Sequence, residues 1–357
     1  MNVTRYCKIF PGSPGGDCLT EAAMILRWGG TVAFPTETVY GLGANALNPA
    51  AVAKIFAAKG RPADNPLIVH IARVDDLDML VREMPPEAEL LMNAFWPGPL
   101  TLVLPRRRCV PDVVTAGLDT VAVRMPAHPV ALALLEKSRV PVAAPSANLS
   151  GRPSPTTGLH VLKDLAGKVD LVLDAGGTAV GVESTVLDLT ASPPVILRPG
   201  GITKEELEEV IGPVVLDPAL TTEGGKEFKP RAPGMKYTHY APKARVTVVV
   251  GLTAAGLYTL SRLVQEARDR GLRVGLLLTA ETARSYREQQ LVPPHYLEVL
   301  GSKDHLEEIA NRLYGALRNC DRYRLDLVYA EGVPPQGLGL AIMNRLTKAA
   351  GRRILRV

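Results

Sequence analysis

Apolar and polar positions follow one another along this chain in two different rhythms. In the first part, residues 19–28 place Ala22, Ile25 and Leu26 on one face and stop at Gly29 and Gly30, the pattern of a helix. Residues 31–34 form a β-branched and aromatic run closed by Pro35, which predicts a strand. Asn48 and Pro49 offer a capping side chain and then a ring already at helical φ. Val52, Ile55 and Phe56 share one face of the helix that follows, and Gly60 ends it. Residues 66–71 read as the next strand. Beyond them the pattern predicts helices over 74–82, 86–95, 128–139 and 204–211. Strands are expected at 100–104, 121–124, 140–144, 171–173, 184–189 and 195–197. Strands and helices mix without strict alternation, so a twisted mixed sheet with helices over it is expected.

After residue 244 the rhythm becomes regular. Strands at 246–250, 274–278, 296–300 and 325–329 alternate with helices at 254–270, 281–290, 303–318 and 338–350, and Ser302 is placed to cap the third helix. Alternation of this kind predicts a small parallel, Rossmann-like sheet. Its first turn, GLTAAG at 251–256, is not the G-x-G-x-x-G of dinucleotide sites, so a packing module without catalytic residues is expected. Between the two rhythms, residues 217–243 are dense in Pro, Gly, Thr and Lys. The predicted organisation is thus α/β: a catalytic domain at 1–216, a long linker at 217–243, and a Rossmann-like domain at 244–357. The linker carries Tyr237 and Tyr240 among turn-forming residues, and is expected to act as an active-site lid with one tyrosine reaching a nucleotide.

Composition adds limits. Hydrophobic residues make up 46% and charged ones 22%, an ordinary globular balance. The net charge of +5 suits an anionic ligand or RNA, but without a long single-sign run it does not argue for nucleic-acid binding. The N-terminus lacks the apolar core of a signal peptide, and no apolar run reaches spanning length, so no membrane partner is expected. The 4 cysteines form no C-x-x-C pair, which fits reduced thiols in a cytoplasmic protein. The 6 histidines are scattered too, and no metal held by protein side chains is expected.

Candidate chemistry gathers at strand and helix ends, where α/β folds place ligands. Thr36, Glu37 and Thr38 crowd three side-chain oxygens into one turn before Gly41 and Gly43. Lys59 and Arg61 flank the helix stop at Gly60, and His70 lies near the end of the next strand. The two cations either complement the helix dipole or meet an anionic, oxygen-rich ligand such as a nucleotide phosphate. No Walker G-x-x-x-x-G-K-[ST] occurs. Thr120 and Arg124 stand an even number apart, on one face of a strand. PSANLSGRPS at 145–154, GVESTV at 181–186 and LRPGG at 197–201 supply further hydroxyls, amides and Arg198. A serine nucleophile is not supported, since neither Ser146 nor Ser184 lies in a G-x-S-x-G elbow. His70 reads as a general base or, more commonly at a strand end, a hydrogen-bonding group.

The runs PTETVYGLG at 35–43, KGRP at 59–62 and NPLIVH at 65–70, with the downstream constellations in order, resemble the signature of the YrdC-type threonylcarbamoyl-AMP synthases. The resemblance covers about residues 20 to 210, and GMKYTHYAP at 234–242 with the C-terminal domain is similar to the two-domain form. It implies a YrdC-like twisted mixed sheet joined to the Rossmann-like domain. The activity implied is a nucleotidyltransferase reaction: L-threonine, bicarbonate and ATP give L-threonylcarbamoyl-AMP, pyrophosphate and water. This begins threonylcarbamoyladenosine modification at position 37 of tRNA. By motif position the resemblance assigns ATP to Lys59, Arg61, Thr120, Ser146, Ser154 and Arg198, with Asn148 shaping its pocket; Asn65 is a further ATP candidate, and the lid reading adds Tyr237 and Tyr240 from the linker. L-Threonine falls to Thr36, His70, Arg124 and Ser184, and the catalytic cations are Lys59 and Arg61. Mg²⁺ would arrive with ATP, and tRNA or a downstream threonylcarbamoyl-transfer complex is the candidate further partner.

Two rivals remain in view. An RNA-binding module is disfavoured by an aromatic content of only 5%. A carbamoyltransferase of the hydrogenase-maturation kind would be expected to add C-x-x-C pairs, which are absent.

Overall fold

The computed structural model describes residues 3–10, 16–221, 231 and 240–357. The chain divides into two compact units, Met1–Ser150 with Ser154–Tyr237, and Gly151–Pro153 with Thr238–Val357.

In the first unit the strands are β1 (Arg5–Lys8), β2 (Val32–Phe34), β3 (Gly41–Asn45), β4 (Ile68–His70), β5 (Leu100–Pro105), β6 (Thr120–Arg124), β7 (Val142–Ala143), β8 (Leu171–Asp174), β9 (Thr185–Asp188), β10 (Val195–Arg198) and β11 (Val215–Leu216). The helices are α1 (Gly16–Arg27), α2 (Pro49–Lys59), α3 (Pro86–Phe95), α4 (Asp112–Thr115), α5 (Pro129–Ser138), α6 (Gly158–Leu165), α7 (Lys204–Ile211) and α8 (Pro218–Thr221). The strands form one 11-stranded sheet in the order β1-β8-β2-β3-β7-β4-β6-β5-β9-β10-β11. Parallel pairs such as β4 with β6 and antiparallel pairs such as β5 with β6 make it the mixed sheet expected.

Alternation along the strands divides the unit into layers. Val69, Val121, Val123, Leu102 and Leu187 enter the main core with α2, α3, α4, α6 and α7. The other face is covered over β2, β7 and β8 by α1 and α5, whose Leu26, Leu134 and Leu135 meet Phe34, Val142 and Leu171. Further along that face Ile68, Val103, Ala122, Val186 and Leu197 form a small cluster drawn from strands alone.

The second unit holds β12 (Arg245–Val250), α9 (Ala254–Asp269), β13 (Val274–Leu278), α10 (Ala280–Glu288), β14 (Tyr296–Val299), α11 (Leu306–Arg322), β15 (Leu327–Glu331), α12 (Leu338–Ala349) and β16 (Ile354–Arg356). Its five strands run in the order β14-β13-β15-β12-β16, and all their pairings are parallel. This is the Rossmann-like sheet expected.

Several local expectations are corrected. The GLGAN run, for which no strand was expected, is β3. Its Gly43 lets Phe34 and Val142 pack where a Cβ would come within 2.8 and 2.7 Å of them. The expected helix at 74–82 is a 3₁₀ turn over Val74–Met79. Strands β1, β11 and β16 and helices α4 and α6 carried too short a pattern to be read. Ser302 does not cap α11, which starts at Leu306 after His305; its hydroxyl donates to Glu281 instead, at 2.5 Å. Cys7 on β1 and Cys18 on α1 are joined by a disulfide, with Cα atoms 6.3 Å apart, whereas four reduced thiols were expected. Parallel pairing of β1 with β8 and packing of α1 on the same sheet bring the two together, which spacing alone does not reveal. Cys109 and Cys320 are free thiols. No helix among the described residues is long and apolar enough to cross a membrane.

Helix α2 sets up the site that follows. Asn48 accepts from Ala50 N and Ala51 N at 3.0 and 3.2 Å, and Gly60 closes the helix at φ 60°. Asn48→Ala is expected to cost about 1 kcal/mol of stability through two unmet amides. Thermal unfolding of the variant checks this.

Candidate active site

The same alternation that builds the core turns Thr120, Ala122 and Arg124 of β6 to the opposite face, beside the strand-only cluster. There the Arg124 guanidinium is only 3% exposed and is held on three sides. Its Nε donates to Gly98 O at 3.1 Å, Nη1 to Thr38 Oγ1 at 3.0 Å, and Nη2 to Glu37 Oε1 at 2.5 Å. Thr38 in turn shares a 2.8 Å hydrogen bond with Thr36, so the TET turn and the strand arginine form one network. The turn is fixed from outside by Val180 N and Gly181 N, which donate to Glu37 O and Thr38 O at 2.7 and 3.1 Å.

His70 pairs with Arg124 in the β4–β6 register. Burial, and then the positive charge of Arg124, push its pKa down to about 3, so it is a neutral imidazole at ordinary pH. Ser184 lies across the segment that Arg124 grips: its hydroxyl meets Thr101 Oγ1 at 2.7 Å. Arg198 donates to Ser184 O and Oγ, both at 3.0 Å. Arg198 and Ser184, which the motif reading gave to different ligands, are therefore in direct contact. Gly200 makes this possible, since a Cβ there would lie 2.2 Å from Thr185 N and 2.4 Å from Glu183 O.

A second group of side chains lies at the end of α2. Lys59 is buried, and its Nζ donates to Asn148 O at 2.7 Å and to Ser146 O, so it grips the 146–148 turn rather than its own helix end. Dipole complementation alone does not describe it. Arg61 Nη2 donates to Asn65 O and Pro66 O at 3.2 and 3.1 Å. Ser154 donates to the buried Glu183 at 2.5 Å. Thr120 starts β6 opposite Pro105, at the far end of the strand from Arg124. Tyr240 is buried in the second unit, with its ring 5.2 Å from that of Tyr314 and 5.6 Å from the Arg345 guanidinium. Tyr237 lies outside the described residues, as does most of the expected lid.

Three buried polar atoms around these groups have no hydrogen-bond partner: Glu37 Oε2, Asn65 Oδ1 and His70 Nδ1. Buried polar groups are normally satisfied, so Glu37 Oε2 and His70 Nδ1 on the neighbours of Arg124, and Asn65 Oδ1 on a neighbour of Arg61, are atoms that a polar ligand would satisfy. Among the described residues no group of three or more His, Cys, Asp or Glu side chains could hold a metal ion. Sequence reasoning gave no role to Glu37, Thr101 or Glu183. The available signal was a carboxylate next to hydroxyl residues, between two in TET and before two in VEST, where a buried anion needs a partner.

A family model described as "Telomere recombination" matches residues 24–200, and one described as the C-terminal domain of threonylcarbamoyl-AMP synthase matches residues 202–351. The threonylcarbamoyl-AMP synthase of Pyrococcus abyssi is 53% identical over 336 residues, 94% of this chain and 95% of that protein. That of Bacillus subtilis is 52% identical over 342 residues, 95% of this chain and 94% of the relative. A crystal structure of P. abyssi Sua5 complexed with L-threonine matches with a TM-score of 0.92 at 50% identity, covering 99% of this chain and 100% of that one. Similarity at this level runs through both units, and this chain belongs to the threonylcarbamoyl-AMP synthase family in its two-domain form.

Proposed function

We propose that this chain is an L-threonylcarbamoyladenylate synthase. In this reading the amine of L-threonine combines with bicarbonate, losing water, to give N-carboxy-threonine. The new carboxylate attacks the α-phosphorus of ATP and expels pyrophosphate, leaving L-threonylcarbamoyl-AMP. The reading places the protein in the cytoplasm, at the first step of threonylcarbamoyladenosine formation, with a separate transfer step to tRNA. The observation that carries it is the set of unmet buried atoms, Glu37 Oε2, Asn65 Oδ1 and His70 Nδ1, beside anchored arginines.

Adenylyl transfer rests on in-line placement and charge neutralisation. Lys59 and Arg61 would neutralise the phosphates, with Asn65, Thr120, Ser146, Asn148, Ser154 and Arg198 around the nucleotide. Mg²⁺ would enter as part of the ATP substrate, held by phosphate oxygens and water. Arg124 would take the threonine carboxylate, because three of its five N–H groups are committed and two remain. Thr36, Ser184 and neutral His70 would meet the amino-acid hydroxyl and backbone.

Pyrophosphate release is expected to require L-threonine and bicarbonate together, since the nucleophile exists only after they combine. Measured turnover indifferent to threonine would rule the reading out. Lys59→Ala is expected to weaken ATP binding by about tenfold or more and to cost about 1–3 kcal/mol, because two buried carbonyls lose their donor. Arg124→Ala should instead abolish threonine binding while ATP affinity stays within about threefold; calorimetry with each ligand separates the two.

His70 adds a pH signature. Its folded-state pKa of about 3 lies below the unfolded value, so unfolding takes up a proton between the two. The stability this histidine contributes is complete above about pH 6.5 and is lost as pH falls from there towards 3. His70→Gln should flatten that part of the acid limb in denaturant melts.

A further inference from the structure

Glu37 is a group of the site for which the reaction above supplies no task. Its position is not accidental. The main chain is pinned by Val180 N, and Oε1 is spent on Arg124, yet Oε2 is buried with no partner at all. A carboxylate oxygen out of water and without a donor is costly, and the groups around it do not relieve that cost. Arg124 already spends its Nε and Nη1 on Gly98 and Thr38. His70 is neutral. Burial pushes the pKa of His128 below the ordinary value, against the pull of the Glu37 charge, and its Nδ1 accepts from Val130 N as the cap of α5, which leaves its proton on Nε2. None of the described residues donates to Oε2, which leaves it open to a donor carried by the ligand.

We infer that Glu37 reads the amino end of the substrate: Oε2 accepts N–H from the ammonium group of L-threonine, and from the remaining N–H once the carbamate has formed. This rests on the proposed threonine reading, in which Arg124 holds the carboxylate. An α-amino acid is a zwitterion with its two charges across one carbon. Glu37 and Arg124, joined at 2.5 Å, present the complementary pair of opposite charges on the protein side. The ion pair so becomes a recognition device for an α-amino acid, one that a plain hydroxy acid or amine satisfies only in half.

Two truncated ligands separate this from a role for Glu37 in merely orienting Arg124. L-Threoninamide keeps the amino end and lacks the carboxylate; 3-hydroxybutanoate keeps the carboxylate, hydroxyl and methyl and lacks the amino group. Calorimetric titrations with these and with L-threonine are made on the wild type, Glu37→Gln and Glu37→Asp, with folding checked by circular dichroism. Glu37→Gln is expected to weaken L-threonine and L-threoninamide by about 10- to 100-fold and to leave 3-hydroxybutanoate within about threefold. Equal loss for all three ligands, loss confined to 3-hydroxybutanoate, or no loss at all would overturn the inference. Glu37→Asp keeps the charge that Arg124 needs and withdraws it by one methylene, so it gives the same contrast, with a smaller loss, where the glutamine variant does not fold. A wild type that binds no L-threonine would instead remove the threonine reading on which the inference stands.

Discussion

A guanidinium buried in a sheet has to be met on every side, and the site of this protein is arranged around meeting one. Arg124 draws the TET turn, the Gly98 carbonyl and its own strand into a single network. Breaking a buried ion pair by removing one partner typically costs about 3–5 kcal/mol. None of these segments can move far without exposing that penalty. The turn after β2, the approach to β5 and the end of β6 are thereby held in one relative placement, and the ligand-facing atoms inherit its rigidity. Orientation of this kind is what a reaction with no covalent enzyme intermediate needs most.

Much of this was legible in the chain before folding. The helix bounded by Asn48 and Gly60 reads directly, because both ends carry their own local chemistry. So does the parallel second unit, whose alternating periods leave little choice. The less legible parts depended on distant partners. Gly41–Asn45 carries no strand pattern of its own, and is a strand because Phe34 and Val142 fill the space over Gly43. The Cys7–Cys18 bond depends on β1 finding β8, 165 residues away in the case of the Thr4–Val169 contact beside it. Candidate residues could be named from their motifs, but contacts such as Arg198 on Ser184 could not, since spacing says nothing of which strand ends meet.

The balance of cation and neutral group is also set by burial more than by residue type. Lys59 and Arg198 are each only a few per cent exposed, yet both are tied to carbonyl oxygens, which keep a charged group fixed at little electrostatic cost. His70, in the same sheet, stays neutral because burial and the neighbouring Arg124 charge outweigh its main-chain contacts with Ile68 and Val142. The buried cations Lys59, Arg124 and Arg198 are thus each tied to a main-chain oxygen. On the proposed reading, those are the positions where phosphate and carboxylate arrive.

The seating of Gly200 has a consequence for synthesis. Its Cα rests against the backbone of residues 183 to 185, so the two loops close together or not at all. Thr36, Lys59 and His70 leave the ribosome early, but the β9 and β10 strands that finish their surroundings are among the last of the first unit to emerge. A nascent chain of this protein accordingly carries an unfinished sheet, with the Thr101 hydroxyl still without Ser184, until residue 200 is available. Cotranslational folding can join Arg124 to Glu37, Thr38 and Gly98, all made before it, whereas the contact of Arg198 with Ser184 has to wait for the chain to catch up.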